Sequence, residues 1–204
     1  MIGALHIVTD AHAERPAIEQ ALAAARGGAW AVQLRDKTAS DEAMAATARA
    51  LLDGLAPFGT RLIINDRIEV AIAVGAHGVH IGQDDGDPVQ VRRRIGPAML
   101  LGLSIEAPAQ THAMPPGTVD YVGAGPVFAT ASKADHAAPM GLDGLLLVAR
   151  AVNVPVIAIG GLSLTDVPQL KAAGAHGMAV ISAASRAADP QSAISAMARA
   201  WSTP

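Results

Sequence analysis

The chain has no cysteine in its 204 residues. Disulfides, thiolate metal sites and cysteine nucleophiles are therefore excluded. Aromatic residues number five: two Trp, two Phe and one Tyr. That leaves little to stack nucleobases on, and a net charge of −3 gives no electrostatic grip on a polyanion, so nucleic acid is not expected as a partner. Charged residues make up 16% of the chain, and only three of them are Lys. Soluble chains usually carry about a quarter. No run of about 18 apolar residues lacks charge or Gly, so no membrane span is expected. Residues 1–10 have neither a basic start nor a long apolar core, so they do not read as a signal peptide. A cytoplasmic location is the default expectation.

What the chain does have is aliphatic bulk. It is 51% hydrophobic and contains 45 Ala, and its mean hydropathy is +0.33. A core of Ala, Val, Ile and Leu follows, and disorder is ruled out. Short apolar runs at 4–9, 30–35, 61–65, 78–82, 99–104, 119–123, 155–160 and 177–182 alternate with Ala-rich helical stretches. Most runs are apolar on consecutive residues, as in a parallel strand covered on both faces. Helices are expected at 15–26, 40–55, 165–173 and after Asp189, with shorter ones at 68–74, 89–95 and 107–113. Eight βα units of about 25 residues predict an α/β fold, a single-domain (β/α)8 TIM barrel over residues 1–204. An open doubly wound sheet is the rival, but its Gly-rich first turn is missing from Thr9-Asp10-Ala11-His12. Residues 75–82 and 174–181 echo one another, Gly-Ala-His-Gly followed by an apolar run, which favours repeated units. The stretch 128–140 reads as a long loop, and such loops are often functional.

Polar clusters fall where the strands end. They are Gln33 to Lys37, Asn65-Asp66-Arg67, Gln83-Asp84-Asp85, Ser104, Thr130 to Lys133, Gly160-Gly161 and Ser182. Each has a plain reading as a strand end, helix cap or tight turn. In a parallel barrel, however, all these ends meet on one face, where such enzymes place their sites. Asp66 and Asp85 offer hard oxygen ligands, which points to Mg²⁺ bridging a diphosphate. Arg35, Lys37 and Lys133 offer positive charge to phosphate oxygens. Gly161 and Ser182 follow strands seven and eight, the usual phosphate pocket of this fold. The seven His show no metal-ligand spacing.

In order along the chain, these motifs resemble the thiamine phosphate synthase family. The runs are Val32-Gln33-Leu34-Arg35-Asp36-Lys37, Ile64-Asn65-Asp66, Gly82-Gln83-Asp84-Asp85, Gly102-Leu103-Ser104, Gly123-Ala124-Gly125-Pro126, Ile159-Gly160-Gly161 and Val180-Ile181-Ser182. The resemblance implies coupling of hydroxymethylpyrimidine diphosphate to a thiazole phosphate carboxylate, with loss of diphosphate. It implies that Gln33, Leu34, Arg35, Asp36, Lys37, Asn65, Ser104 and Lys133 bind the pyrimidine diphosphate. Thr130, Ala131, Ser132, Gly161, Ile181 and Ser182 fall where the thiazole phosphate binds, and Asp66 and Asp85 hold Mg²⁺. Arg35, Lys37, Lys133 and Ser104 are the implied catalytic residues, and a homodimer is the implied assembly. The chain departs from the family in reading Ala129-Thr130-Ala131-Ser132-Lys133 where Pro-Thr-x-Thr-Lys is usual. It also has Ile105-Glu106 after Ser104. Two rivals remain at this point. A thiazole tautomerase of the same barrel would lack the diphosphate and metal set. A non-catalytic phosphate-binding barrel would need no paired carboxylates.

Overall fold

The computed structural model describes residues 1–130 and 138–203. Eight parallel strands close on themselves in chain order, each pairing with the next and β8 with β1. They are β1 Leu5–Val8, β2 Ala31–Leu34, β3 Arg61–Asn65, β4 Gly78–Ile81, β5 Leu100–Ile105, β6 Tyr121–Ala124, β7 Val156–Ile159 and β8 Gly177–Val180. The expected (β/α)8 barrel is what the chain forms. Among the described residues no helix is long and apolar enough to cross a membrane.

Strand side chains alternate between two environments because their period is two. Leu5, Ile7, Val32, Leu34, Leu62, Ile64, Val79, Ile81 and their counterparts face outward into a core shared with the helices. The inward set is smaller: Val8, Tyr121, Ile157 and Ala179 pack along the axis with Ile2. This explains the continuous apolar runs, since both faces of the lower strands are covered. At the upper, C-terminal ends the inward positions turn polar. The register places Asn65 beside His80, His80 beside Gly102, and Ser104 beside Gly123.

The helices begin and end for local reasons. Ser40 Oγ accepts from Ala43 N–H to cap α2, Asp41–Leu55. Asp87 accepts from Val89 N and Gln90 N to cap α4, Pro88–Ile95, whose Pro at the first position needs no donor. Asp189 caps α8, Pro190–Ser202, in the same way. The other helices are α1 Ala17–Arg26, α3 Ile68–Val74, α5 Gly141–Ala151, α6 Val167–Ala172 and the short α7 Ser182–Ser185. The expected helix at 107–113 is instead a 3₁₀ segment, Pro108–Ala113. It is short, and Pro115-Pro116-Gly117 just beyond it cannot prolong a helix. Strand β8 stops at Val180, so Ser182 belongs to the following turn of helix.

The seam between the first and last units is stitched by polar contacts. The Arg15 guanidinium donates to the carbonyls of Ser185, Ala187 and Ala188 at 3.1–3.2 Å. His176 Nε2 lies 2.7 Å from the Ile2 carbonyl.

His6 sits inside the barrel, with its ring 4.9 Å from Trp30 and 5.4 Å from Tyr121. Burial drives its pKa down from 6.5 to about 3, although the Gly3 carbonyl, 3.1 Å from Nε2, pulls the other way. The unfolded chain therefore takes up a proton below about pH 6.5 that the folded chain refuses. His6 contributes its full stability above that pH and loses it progressively as the pH falls toward 3. Between about pH 5.5 and 4, where only the unfolded form is largely protonated, this one group should cost about 1.4 kcal/mol per pH unit. Urea denaturation across that range should show a flatter dependence for His6→Gln, and an unchanged slope would refute the burial argument.

Candidate active site

The polar strand ends surround a cavity of about 380 Å³ at the C-terminal mouth of the barrel. That is within the range of small-molecule sites. Its floor is apolar, formed by Val8, Tyr121, Ile157, Ile159 and Ala179.

One wall carries the charge. Gln33 and Arg35 point inward from β2 and its extension, on either side of outward-facing Leu34. The Arg35 backbone is held by Thr9, whose Oγ1 accepts from Arg35 N–H at 3.0 Å. The next loop is built by Asp36. Its Oδ1 accepts from Thr38 Oγ1, Thr38 N and Ala39 N at 2.7–3.0 Å. The Thr38 hydroxyl bond, chiefly, holds the Asp36 carboxyl below its ordinary pKa. Arg67 ties down the same loop, donating to the Ala39 carbonyl at 2.6 Å and pairing with Asp41. Lys37 is thereby carried across to Asp66, and the two form an ion pair.

Asp66 is, among the described residues, the one non-glycine with positive φ, at 63°. Asp tolerates the left-handed region better than most residues, and such strain gathers at functional sites. The turn sends the carboxylate into the mouth, where its side chain is 15% exposed. Asn65 Nδ2 donates to its Oδ1 at 2.7 Å, and Asp66 N–H donates to the His80 carbonyl at 2.8 Å. Burial raises the Asp66 pKa, Lys37 opposes this, and the adjacent Asp85 carboxyl raises it further. Asp85 is itself anchored by Gly82 N–H, 2.7 Å from its Oδ2. Ser104 stands deeper, with Oγ 3.0 Å from His80 Nε2, and Gln83 Nε2 donates to its carbonyl at 2.6 Å.

The opposite wall is mostly backbone. Beyond β6 the chain runs alongside β7, with Val127 N–H on the Ile159 carbonyl and Phe128 N–H on the Gly160 carbonyl. Gly160 and Gly161 have φ of 96° and 69°. A Cβ on Gly161 would stand 2.6 Å from the Ala129 carbonyl, and one on Gly160 would stand 2.5 Å from Pro126 Cα. Only glycine lets these two loops touch, and that contact sets Thr130 beside Gly161, Ile181 and Ser182 around the cavity.

The structure thus brings together Gln33, Arg35, Lys37, Asn65, Asp66, Asp85, Ser104, Thr130, Gly161, Ile181 and Ser182. Leu34 faces the helix layer and Asp36 shapes the loop, so neither side chain lines the cavity. Ala131, Ser132 and Lys133 lie outside the described residues. His6, His80, Glu106 and Tyr121 line the cavity without having been singled out by sequence. The signal available for His80 was register, because it alternates with Gly78 and Gly82 on the face that carries Asn65.

Among the described residues no group of three or more His, Cys, Asp or Glu could hold a metal ion. Asp66 and Asp85 nevertheless fit a divalent cation shared with a ligand. Two hard carboxylates lie together, and burial and then Asp85 raise the pKa of Asp66 while Lys37 lowers it. Mg²⁺ is commonly held in this way, by one or two carboxylates plus phosphate oxygens.

Fold and site together define a (β/α)8-barrel enzyme with a polar-walled cavity at its C-terminal mouth. The family model for thiamine monophosphate synthase matches residues 5–184. A thiamine-phosphate synthase of Azorhizobium caulinodans is 45% identical over 187 residues, covering 91% of this chain and 88% of that one. Another from Roseiflexus castenholzii is 45% identical over 197 residues, covering 96% and 86%. A thiamine phosphate pyrophosphorylase from Pyrococcus furiosus superposes with a TM-score of 0.88 at 30% identity, covering 98% and 95%. The chain belongs to the thiamine monophosphate synthase family, and its activity is the transferase activity of that family.

The Asp66 backbone makes a prediction about stability alone. Asp66→Asn keeps a residue suited to positive φ and should change unfolding free energy by less than about 0.5 kcal/mol. Asp66→Val puts a β-branched side chain there and should lose about 1–3 kcal/mol. Equal stabilities of the two variants in urea would show that the left-handed turn carries no constraint.

Proposed function

We propose that the chain joins hydroxymethylpyrimidine diphosphate to a thiazole phosphate (carboxylate), with Mg²⁺ as cofactor, giving thiamine phosphate and diphosphate. The observation that carries this reading is the pairing of two different walls around one cavity. One holds Arg35, Lys37, Asn65, Asp66, Asp85 and Ser104, and the other holds Thr130, Gly161, Ile181 and Ser182. A metal-dependent diphosphate suits the first wall, and a monophosphate held by backbone and hydroxyl donors suits the second. The paired carboxylates favour coupling over tautomerisation or passive binding, neither of which needs them.

In the proposed reaction the C–O bond to diphosphate breaks first, and both its electrons leave with the diphosphate. The electron-rich aminopyrimidine stabilises the methylene cation. The thiazole nitrogen then donates its lone pair to form the C–N bond. Arg35, Lys37 and Lys133 offset the charge that accumulates on the leaving group. When bound, Mg²⁺ adds Lewis-acid stabilisation of the diphosphate oxygens. Gln33 and Asn65 orient the pyrimidine diphosphate, while the Gly161 and Ser182 wall holds the thiazole within reach. No enzyme nucleophile is required, so positioning supplies much of the rate. The substrates are small molecules. We further propose a cytoplasmic homodimer with one barrel domain, 1–204, in each subunit.

The test is a coupling assay with both substrates, with and without Mg²⁺, following thiamine phosphate and diphosphate by chromatography. Product should form only when the metal is present. Thiazole isomerisation without coupling, or binding without turnover, would overturn the reading. Asp66→Asn should lower coupling by about 100-fold or more while the chain stays folded. Lys37→Ala should lower kcat by about 10–100-fold and leave the KM for the thiazole phosphate nearly unchanged.

A further inference from the structure

Inside the barrel three side chains from successive strands form a hydrogen-bonded row. The Tyr121 hydroxyl lies 3.1 Å from His80 Nδ1, and His80 Nε2 lies 3.0 Å from Ser104 Oγ. The rings of His80 and Tyr121 are 5.5 Å apart. Tyr121 is 1% exposed and His80 7%. The barrel is hollowed to hold this row. A Cβ on Gly102, which lies between them in the sheet, would stand 2.3 Å from His80 Nδ1 and 2.3 Å from Tyr121 Cζ. Packing alone would favour a larger residue at the centre of a strand, so the glycine gives up strand propensity to admit the pair.

The direction of the row follows from donor counting. Among the described residues the Tyr121 hydroxyl has one hydrogen-bond partner, His80 Nδ1. A buried O–H left without an acceptor is costly, whereas an unused lone pair on the same oxygen is cheap. Tyr121 therefore donates, and Nδ1 must be the bare, accepting nitrogen. Burial pushes the Tyr121 pKa up, which keeps that proton in place. A neutral imidazole with a bare Nδ1 carries its hydrogen on Nε2. Nε2–H then donates to Ser104 Oγ. Among the described residues His80 is the one partner of that hydroxyl, so the Ser104 proton is left to point into the cavity.

We propose that His80 is a positioning residue for the coupling reaction. Locked by Tyr121 in its Nε2–H form, it occupies the acceptor side of Ser104 and so turns the Ser104 hydroxyl into a dedicated donor to the pyrimidine diphosphate. The proposal rests on the coupling function above only for its kinetic consequence; the locked tautomer is a property of the substrate-free protein.

Two measurements separate these parts. In chain labelled with ¹⁵N-histidine, the His80 resonances are identified by their loss in His80→Gln. They should show a protonated Nε2 and an unprotonated Nδ1 at neutral pH, and Tyr121→Phe should convert this to a mixture of tautomers. A protonated Nδ1, or a pattern unmoved by Tyr121→Phe, overturns the lock even if the coupling reading fails. In steady-state kinetics, His80→Leu should lower kcat by about 10–100-fold with the thiazole phosphate KM within about twofold. His80→Gln, whose amide can donate to Ser104, should recover most of the loss. The double variant of His80→Leu with Ser104→Ala should be no slower than Ser104→Ala alone. Losses that multiply, or a glutamine variant as slow as the leucine one, would show that His80 does not act through Ser104. If His80→Leu fails to fold, the glutamine variant and the tautomer measurement still decide.

Discussion

The constraint on which the molecule depends is the two-residue period of a strand inside a closed parallel barrel. Once eight short strands close, every second side chain must point at the axis, and every other one at the helices. Gln33 and Arg35 reach the mouth because Leu34 between them is buried outward. The same count puts Asn65, His80, Gly102 and Tyr121 side by side across three strand pairings. A shift of one residue in any pairing would bury the polar set under the helices and turn the aliphatic set inward. The heavy aliphatic shell therefore fixes the register as well as supplying stability, and the register aims the site.

Scarcity of charge makes the arrangement at the mouth more pointed. Of the two Lys among the described residues, Lys171 is spent on the carbonyls of Ala200 and Thr203 at the end of α8. The other, Lys37, meets a carboxylate that burial has made reluctant to ionise. The neighbouring Asp85 carboxyl adds to that reluctance. The facing wall solves a different problem with almost no charge, using tight glycine turns where two loops abut. The two halves of the cavity thus differ in kind.

Much of this was legible in the chain. Eight apolar runs with polar ends gave strands within a residue or two of those observed, because burial on both faces leaves a plain hydrophobic signature. The contiguous runs at 33–37, 65–66 and 82–85 were visible as motifs because a strand end and its loop lie together in sequence. Three things were not legible. The conformation of 108–113 depends on the prolines that follow it, so a helical pattern alone misled. The outward turn of Leu34 and the loop-building role of Asp36 need the register and the hydrogen bonds, which a motif does not carry. His80 and Tyr121 are single polar residues 41 positions apart, and nothing local connects them until β4, β5 and β6 stand together.

Arg15 and its three carbonyl partners also bear on how the barrel is made. Those partners lie 170 or more residues downstream of it. During synthesis, which runs from the N-terminus, β1 has β2 on one side and no neighbour on the other until β8 emerges. The growing sheet therefore keeps one raw edge until nearly the whole chain exists, and contacts of such long range form slowly. A polypeptide released early would carry a complete set of mouth residues from β2 to β6 beside an edge open to wrong partners. Closure of the ring thus doubles as a check on length, because only a chain long enough to include β8, Gly177–Val180, can cover its own first strand.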